Sequence, residues 1–275
     1  LELRRIIKLN QMNNQSVTLL NGETWKQEVI LERMLDDDFY YGHLGKYALS
    51  ASSCKLLLGS PKSYYMNVKY GQKAETPALT MGKVIHTMIL EPHIFDVRFE
   101  VANVKSRTTK AYKEATASSD RTVITSSDYS AAKRVVDAVR NNEYAMQYID
   151  GSQYEIPAIG ELFGGIPFRA KADILNRDGG FIADVKTTTE MQSGFKYSAR
   201  KYGYDMQAYL YTELFGIRDF VFIAVDKSTL DVGIYTVSDQ FLFDGEQKVE
   251  LAMNRFKKFF IDGEDLNSYT ILDEL

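Results

Sequence analysis

The sequence predicts an α/β chain of the α+β type, a mixed sheet with helices on it, and three observations carry that reading. The C-terminal half holds five short apolar runs of strand length, at 154–163, 166–175, 181–187, 219–225 and 232–237. The first three follow one another across the turn signals Gly164-Gly165 and Asn176-Arg177-Asp178-Gly179-Gly180, as in a meander. A helical stretch, 198–215, separates the third run from the fourth. Helix, three-strand meander, helix, strand is the pattern of neither a doubly wound nor a barrel chain.

The remaining elements follow in chain order. Residues 1–22 are polar and Asn/Gln-rich, with loose order expected. Residues 23–38 read as a helix with Trp25, Val29, Ile30 and Met34 as apolar positions, ending in the acidic run Asp36-Asp37-Asp38. Together, 1–38 form an N-terminal extension, partly helical, ahead of a single domain at 39–275. An aromatic loop, 39–43, comes next. Ser50 to Ser53 offer N-caps for a Leu-rich helix, and Pro61 suits the start of another with Tyr64 and Tyr65. Residues 81–90 are helical and close at Glu91-Pro92. Strand-like 98–102 and 122–125 flank a basic loop and a short helix. Residues 126–148 read as one amphipathic helix capped at Ser126 or Ser127, and 239–261 as a closing helix. The very apolar run 219–225 belongs inside the sheet.

Composition narrows the chemistry. Among 275 residues the net charge is −4, which excludes a globally basic nucleic-acid coat but allows a local basic channel. Cys54 is the one cysteine, so a disulfide framework, a four-cysteine zinc site and an iron–sulfur cluster are excluded, and a reducing, cytoplasmic setting is expected. No apolar run is long enough for a transmembrane helix. There is no G-x-x-x-x-G-K-[ST] phosphate loop, so no ATP is expected, and no G-x-S-x-G or H-E-x-x-H.

The chemistry-bearing residues gather around one hairpin. With Asp178-Gly179 as turn pair, Asp173 lies across from Asp184, and Lys186 shares that sheet face. Two such carboxylates repel unless a cation sits between them. Moving the turn to Gly179-Gly180 would instead pair Asp173 with Lys186. Outside the hairpin, Gly82 and His86 share a helix face, and Gly82 suggests close approach of another backbone. Glu155, at the start of the first strand, is a further candidate acid. Gln207 and Tyr211 share a helix face and could hydrogen-bond the lysine, a water or a phosphate. Two basic patches suit phosphate contact: Lys105, Arg107, Lys110 and Lys113, and Lys196, Arg200 and Lys201.

In order, Gly82-x-x-x-His86, Glu155, Asp173, Asp184-x-Lys186 and Gln207-x-x-x-Tyr211 resemble the PD-(D/E)xK nucleases of the RecB type, and within them the RecE-type exonucleases (exodeoxyribonuclease VIII) of phages and prophages. The resemblance covers roughly residues 40–262. Ser50-Ala51-Ser52, Ser60-Pro61, Leu90-Glu91-Pro92 and Gly165-Ile166-Pro167 support it, while Ala172-Asp173 departs from the Pro-Asp of the family name. It implies a restriction-endonuclease-like core and phosphodiester hydrolysis with Mg²⁺ or Mn²⁺, one or two per site. His86, Asp173, Asp184 and the Val185 carbonyl would be metal ligands. Lys186 would orient or deprotonate the attacking water, or stabilise the transition state, and Gln207 and Tyr211 would steady Lys186 and the scissile phosphate. It further implies a 5′ to 3′ exonuclease on ends of double-stranded DNA, working as a homo-oligomeric ring (trimer or tetramer) beside a single-strand annealing protein, with no membrane partner. A structure-specific endonuclease of the same fold, or an inactive protein that binds DNA ends, is the alternative.

Overall fold

The computed structural model describes residues 16–71, 76–189 and 191–271. The N-terminal part comprises β1 (Ser16–Thr18), β2 (Thr24–Lys26), α1 (Gln27–Arg33), a π-helical turn (Asp38–His43), α2 (Leu44–Tyr47), α3 (Ala51–Gly59), α4 (Pro61–Tyr70) and α5 (Pro77–Leu90). Then come α6 (Phe95–Arg98), β3 (Phe99–Ala102), α7 (Lys110–Ser118), β4 (Thr122–Thr125), α8 (Ser126–Arg140) and α9 (Glu143–Ile149). The core follows as β5 (Gln153–Leu162), β6 (Ile166–Asn176), β7 (Phe181–Thr188), α10 (Met191–Lys201), α11 (Tyr204–Phe215), β8 (Asp219–Asp226), β9 (Val232–Thr236) and α12 (Asp239–Phe256).

The main sheet has the order β5-β6-β7-β8-β9. All neighbours are antiparallel except β7 and β8, which are joined in parallel through α10 and α11. The predicted mixed sheet is therefore present, with β8 in its interior and seven of its eight residues buried. Alternation along the strands feeds two cores. Ile174, Ala183, Val185 and Ile223 pack with α5, α8 and α9 on one face. Leu175, Ile182, Phe220 and Phe222 pack with α10, α11 and the start of α12 on the other. A third core joins α3, α4 and α12 to Ile166 and Phe168.

Several sequence expectations are corrected. The proposed helix 23–38 is shorter, because Thr24–Lys26 pairs with Ser16–Thr18 as a small hairpin before α1 begins. Residues 1–15, read as loosely ordered, lie outside the described residues. Residues 16–22, placed in the same polar segment, instead bury Val17 and Leu19 with Ile30, Met34 and Ile159 of β5. The aromatic loop is a π-helical turn. The helix 126–148 is two helices interrupted at Asn141-Asn142, and its N-cap is Thr125, in a capping box with Asp128. The helix 198–215 also divides, at Gly203, whose φ of +75° a side chain rarely adopts.

The division at Gly203 matters because α11 faces the site described below. Its first turn is pressed against α12: a Cβ on Gly245 would meet the backbone oxygen of Asp205 at 2.2 Å. Backbone cannot yield there as a flexible side chain would. Gly245→Ala is expected to destabilise the protein by about 1–3 kcal/mol, the range for overpacking, read as a lower melting temperature. An unchanged melting curve would contradict this contact.

Candidate active site

The site lies where the sheet splits. β6 pairs with β7 only through Ile174↔Ala183, Leu175↔Ile182 and Asn176↔Phe181. This is the register centred on Asp178-Gly179, and its continuation would bring Asp173 opposite Asp184. Earlier in β6, the same side pairs with a different segment: Leu49 forms a parallel bridge to Phe168, with Leu49 accepting from Arg169 N–H at 2.8 Å. Between these two partners the flank of β6 is open, and Lys171 and Asp173 stand in the gap. Side chains replace the missing ladder. Val185 N–H donates to Asp173 Oδ2 at 3.0 Å, and the Tyr211 hydroxyl donates to the Lys171 carbonyl at 3.1 Å.

On its other flank β6 pairs with β5, but Glu155, the residue across from Asp173, is skipped in the ladder. Its φ is +53°, a left-handed conformation that is strained for a residue with a Cβ. The strain accompanies a carboxylate turned toward Asp173. His86, one turn after Gly82 on α5, puts Nδ1 at 3.2 Å from Asp173 Oδ2. His86, Glu155 and Asp173 each offer a ligand atom, and these lie within 4.8 Å of one another. Two hard oxygens and one imidazole are a donor set that fits a divalent cation. Asp184 stands outside this group, because Lys186 and Gln207 draw its carboxylate to themselves.

The electrostatics suit a divalent cation. Burial first, then the charge of neighbouring Asp173, pushes the Glu155 carboxyl well above the usual range. Burial and then Asp184 do the same to Asp173. Lys186 Nζ lies 2.7 Å from Asp184 Oδ2. That oxygen is buried, and the ammonium is the cation set against it. Burial alone would lower the Lys186 ammonium pKa, but the attraction of Asp184 and Asp173 outweighs it and holds the pKa above the ordinary lysine value. Its ammonium also sits 4.7 Å from the ring centre of Tyr204.

Gln207 and Tyr211, expected at the lysine, a water or a phosphate, have other protein groups as their partners in the structure. Gln207 Nε2 donates to Asp184 Oδ1, and Tyr211 reaches the backbone of β6, because α11 crosses above both strands. The tyrosine against Lys186 is Tyr204, which sequence reasoning did not single out. Gly82 is also corrected. Among the described residues a Cβ there would meet nothing within 4 Å, and it lines the open cleft.

That cleft measures about 930 Å³ and is lined by the carboxylates, Lys186, His86, Gln207 and Tyr211. Its cations are Lys83, Arg98, Arg121, Arg169 and Lys171. The residues proposed from sequence for DNA contact do not line it. Lys105, Lys110 and Lys113 are exposed around the small β3–β4 sheet, and Arg107 is paired with Asp128 at 3.0 Å. Lys196, Arg200 and Lys201 are exposed on α10, with Arg200 paired to Asp244. A signal for Lys171 existed in the sequence: it alternates with Asp173 along one strand, and alternation sets the face.

Comparison with known proteins gives the family and the fold. Residues 50–265 match the family described as a PDDEXK-like domain of unknown function (DUF3799), and the chain belongs to that family. The fold is that of PD-(D/E)xK proteins. It is similar to the crystal structure of a protein from Eubacterium rectale provisionally described as an exonuclease, with a TM-score of 0.64 and 18% identity over 87% of this chain and 94% of that one. A phage-related exonuclease from Haemophilus somnus 129PT aligns over 79% of this chain and 96% of that one, with 14% identity and a TM-score of 0.33. No curated protein matches the chain. Among the described residues, no helix is long and apolar enough to cross a membrane.

Two outcomes follow. Glu155 and Asp173 bind protons more tightly folded than unfolded, so the folded state holds more protons between the unfolded carboxyl pKa near 4 and the raised folded values, and stability falls as pH rises through that window. Metal-free protein should melt at higher temperature near pH 5 than near pH 7.5. Added Mn²⁺ or Mg²⁺ should raise the melting temperature more at pH 7.5 than at pH 5, and equal shifts at both would contradict the site. Separately, Gly82→Ala should stabilise α5 by about 1 kcal/mol, the helix-propensity difference with no clash to offset it; a lower melting temperature would refute the open-space reading.

Proposed function

We propose that this protein is a divalent-metal-dependent deoxyribonuclease, an exonuclease of RecE-like type that hydrolyses linear double-stranded DNA from its ends, 5′ to 3′. The observation that carries the reading is the meeting of Asp173, Asp184 and Lys186 at the gap between β6 and β7, in a cleft that also holds cations. Asp173, with His86 and Glu155 beside it and Asp184 and the Val185 carbonyl across the gap, would hold Mg²⁺ or Mn²⁺. Such a cation, when bound, lowers the pKa of a coordinated water and neutralises charge developing on phosphorus-bound oxygens.

The chain's own residues do the rest. Lys186 begins as an ammonium, so its role is to donate to a non-bridging phosphate oxygen as charge builds, rather than to abstract a proton first. Tyr204 holds that ammonium against its ring face. Gln207 fixes the Asp184 carboxylate, leaving Oδ2 to face Lys186 and the cleft. Gly82 keeps the opposing helix face clear, which a duplex or a frayed strand needs. Assembly into a ring and delivery of the single strand to an annealing protein extend this proposal, and sedimentation of the purified chain would check the first of them.

The test is digestion of linear duplex DNA labelled at the 5′ or the 3′ end, with Mg²⁺, Mn²⁺ or EDTA, beside a closed circle. Loss of the 5′ label as mononucleotides, dependent on metal and sparing the circle, is expected. Asp184→Asn and Lys186→Met should each lower the rate by roughly 10²–10³-fold, the scale of removing one preorganised electrostatic group, while DNA binding persists. Cutting of the circle would convert the reading to an endonuclease, and wild-type rates in either variant would overturn the assignment of roles.

A further inference from the structure

One feature of the cleft is untouched by the nuclease chemistry. Asp37, from the N-terminal segment, reaches across and bridges two cations on different elements. Its Oδ1 is 2.9 Å from Lys171 Nζ on β6, and its Oδ2 is 3.5 Å from Arg98 Nη2 at the end of α6. Lys171 is nearly buried, its ammonium 4.6 Å from the ring centre of Tyr40 and 5.6 Å from that of Tyr41. Asp37 is half exposed. The segment that carries it is anchored from below: Arg169 donates to the carbonyls of Leu44 and Ala48 and stacks on Tyr40. Arg169 is itself 5% exposed, with a buried Nε that has no hydrogen-bond partner among the described residues. A buried cation of this kind maintains a positive field behind Lys171.

We propose that Lys171 and Arg98 form a phosphodiester subsite next to the scissile position, and that the Asp37 carboxylate is its resident placeholder. The inference rests on the nuclease reading and adds the residues that grip the backbone one step from the chemistry. Two oxygens of one monoanion each meet one cation, which is how the two non-bridging oxygens of a phosphodiester would be held. Exchange of one monoanion for another leaves the local charge unchanged, and the displaced carboxylate is already half in water, so its release costs little. Lys171 precedes Asp173 by two residues on the same strand, roughly 7 Å along it at about 3.3 Å per residue. That distance is of the order of one nucleotide step. Asp37 thereby sets how tightly the cleft holds a nucleic-acid strand.

The experiment is equilibrium binding of the full chain to a short end-labelled DNA duplex, with Ca²⁺ in place of the catalytic ion, across a salt series. Asp37→Asn should tighten binding several-fold. Lys171→Gln and Arg98→Gln should each weaken it and lower the slope of log K against log salt, the two together by about 0.9 because both cations meet one phosphate; Lys171→Arg should keep the slope. The tightening by Asp37→Asn should disappear in the Lys171→Gln background, and shrink in the Arg98→Gln background. Should Lys171→Gln not fold, as judged by circular dichroism, the Asp37–Arg98 cycle decides. Binding by the wild type with no effect of Asp37→Asn, or with the same effect in both backgrounds, overturns this inference alone. Failure of the wild type to bind DNA overturns the nuclease reading and this inference with it.

Discussion

Everything at the site depends on β6 and β7 parting after Ile174↔Ala183. A continued ladder would use the Val185 N–H in the sheet and close the space around Asp173. The parting leaves backbone groups that need partners, and the partners are themselves the site: Asp173 accepts from Val185, and Tyr211 donates to Lys171. Satisfying a buried N–H and placing a carboxylate are the same act here. The bridge from Leu49 to Phe168 holds the far end of the gap, so the opening has fixed limits rather than the fraying of a sheet edge.

Crowded carboxylates are the consequence, and the structure tolerates them at visible cost. Glu155 carries a left-handed backbone and is driven toward the neutral form by burial and then by Asp173, and Asp173 is driven the same way by burial and then by Asp184. One ammonium, Lys186, answers Asp184. Strain and like-charge repulsion in one place are features that persist when the surroundings over-determine them. The surroundings are α5 with His86 on one face of the sheet and α11 with Gln207 on the other. Gly245, by letting α12 touch the backbone of Asp205, fixes the height of α11 above the strands.

The N-terminal segment is more than an appendage to this arrangement. Residues 16–44 share a core with Ile159 of β5, and the turn that follows α1 delivers Asp37, Tyr40 and Tyr41 to the cleft. Membership of the PDDEXK-like family, established over residues 50–265, covers the sheet and its helices but not this turn. The candidate site and the wall that faces it thus meet across the start of the family match at residue 50.

The sequence by itself determined the five strands and put Asp173, Asp184 and Lys186 on one hairpin; it left the register open between turns at Asp178-Gly179 and Gly179-Gly180, and the structure has the first. The strands and the hairpin rest on local rules: period-two alternation and a turn signal at Asp178-Gly179-Gly180. Helix breaks at Asn141-Asn142 and Gly203 were less legible, because apolar periodicity continues across them while the backbone does not. The tertiary structure alone decided the rest. Which partner Gln207 would take, that Tyr204 rather than Tyr211 would meet Lys186, and that Gly82 faces open space depend on how α5 and α11 lie against the sheet. The cations of the cleft, Lys171 and Arg98, were passed over in favour of denser basic runs on exposed elements. Charge density in sequence marks solvated surface, whereas a single cation becomes part of a site only when distant segments bring an anion's place beside it.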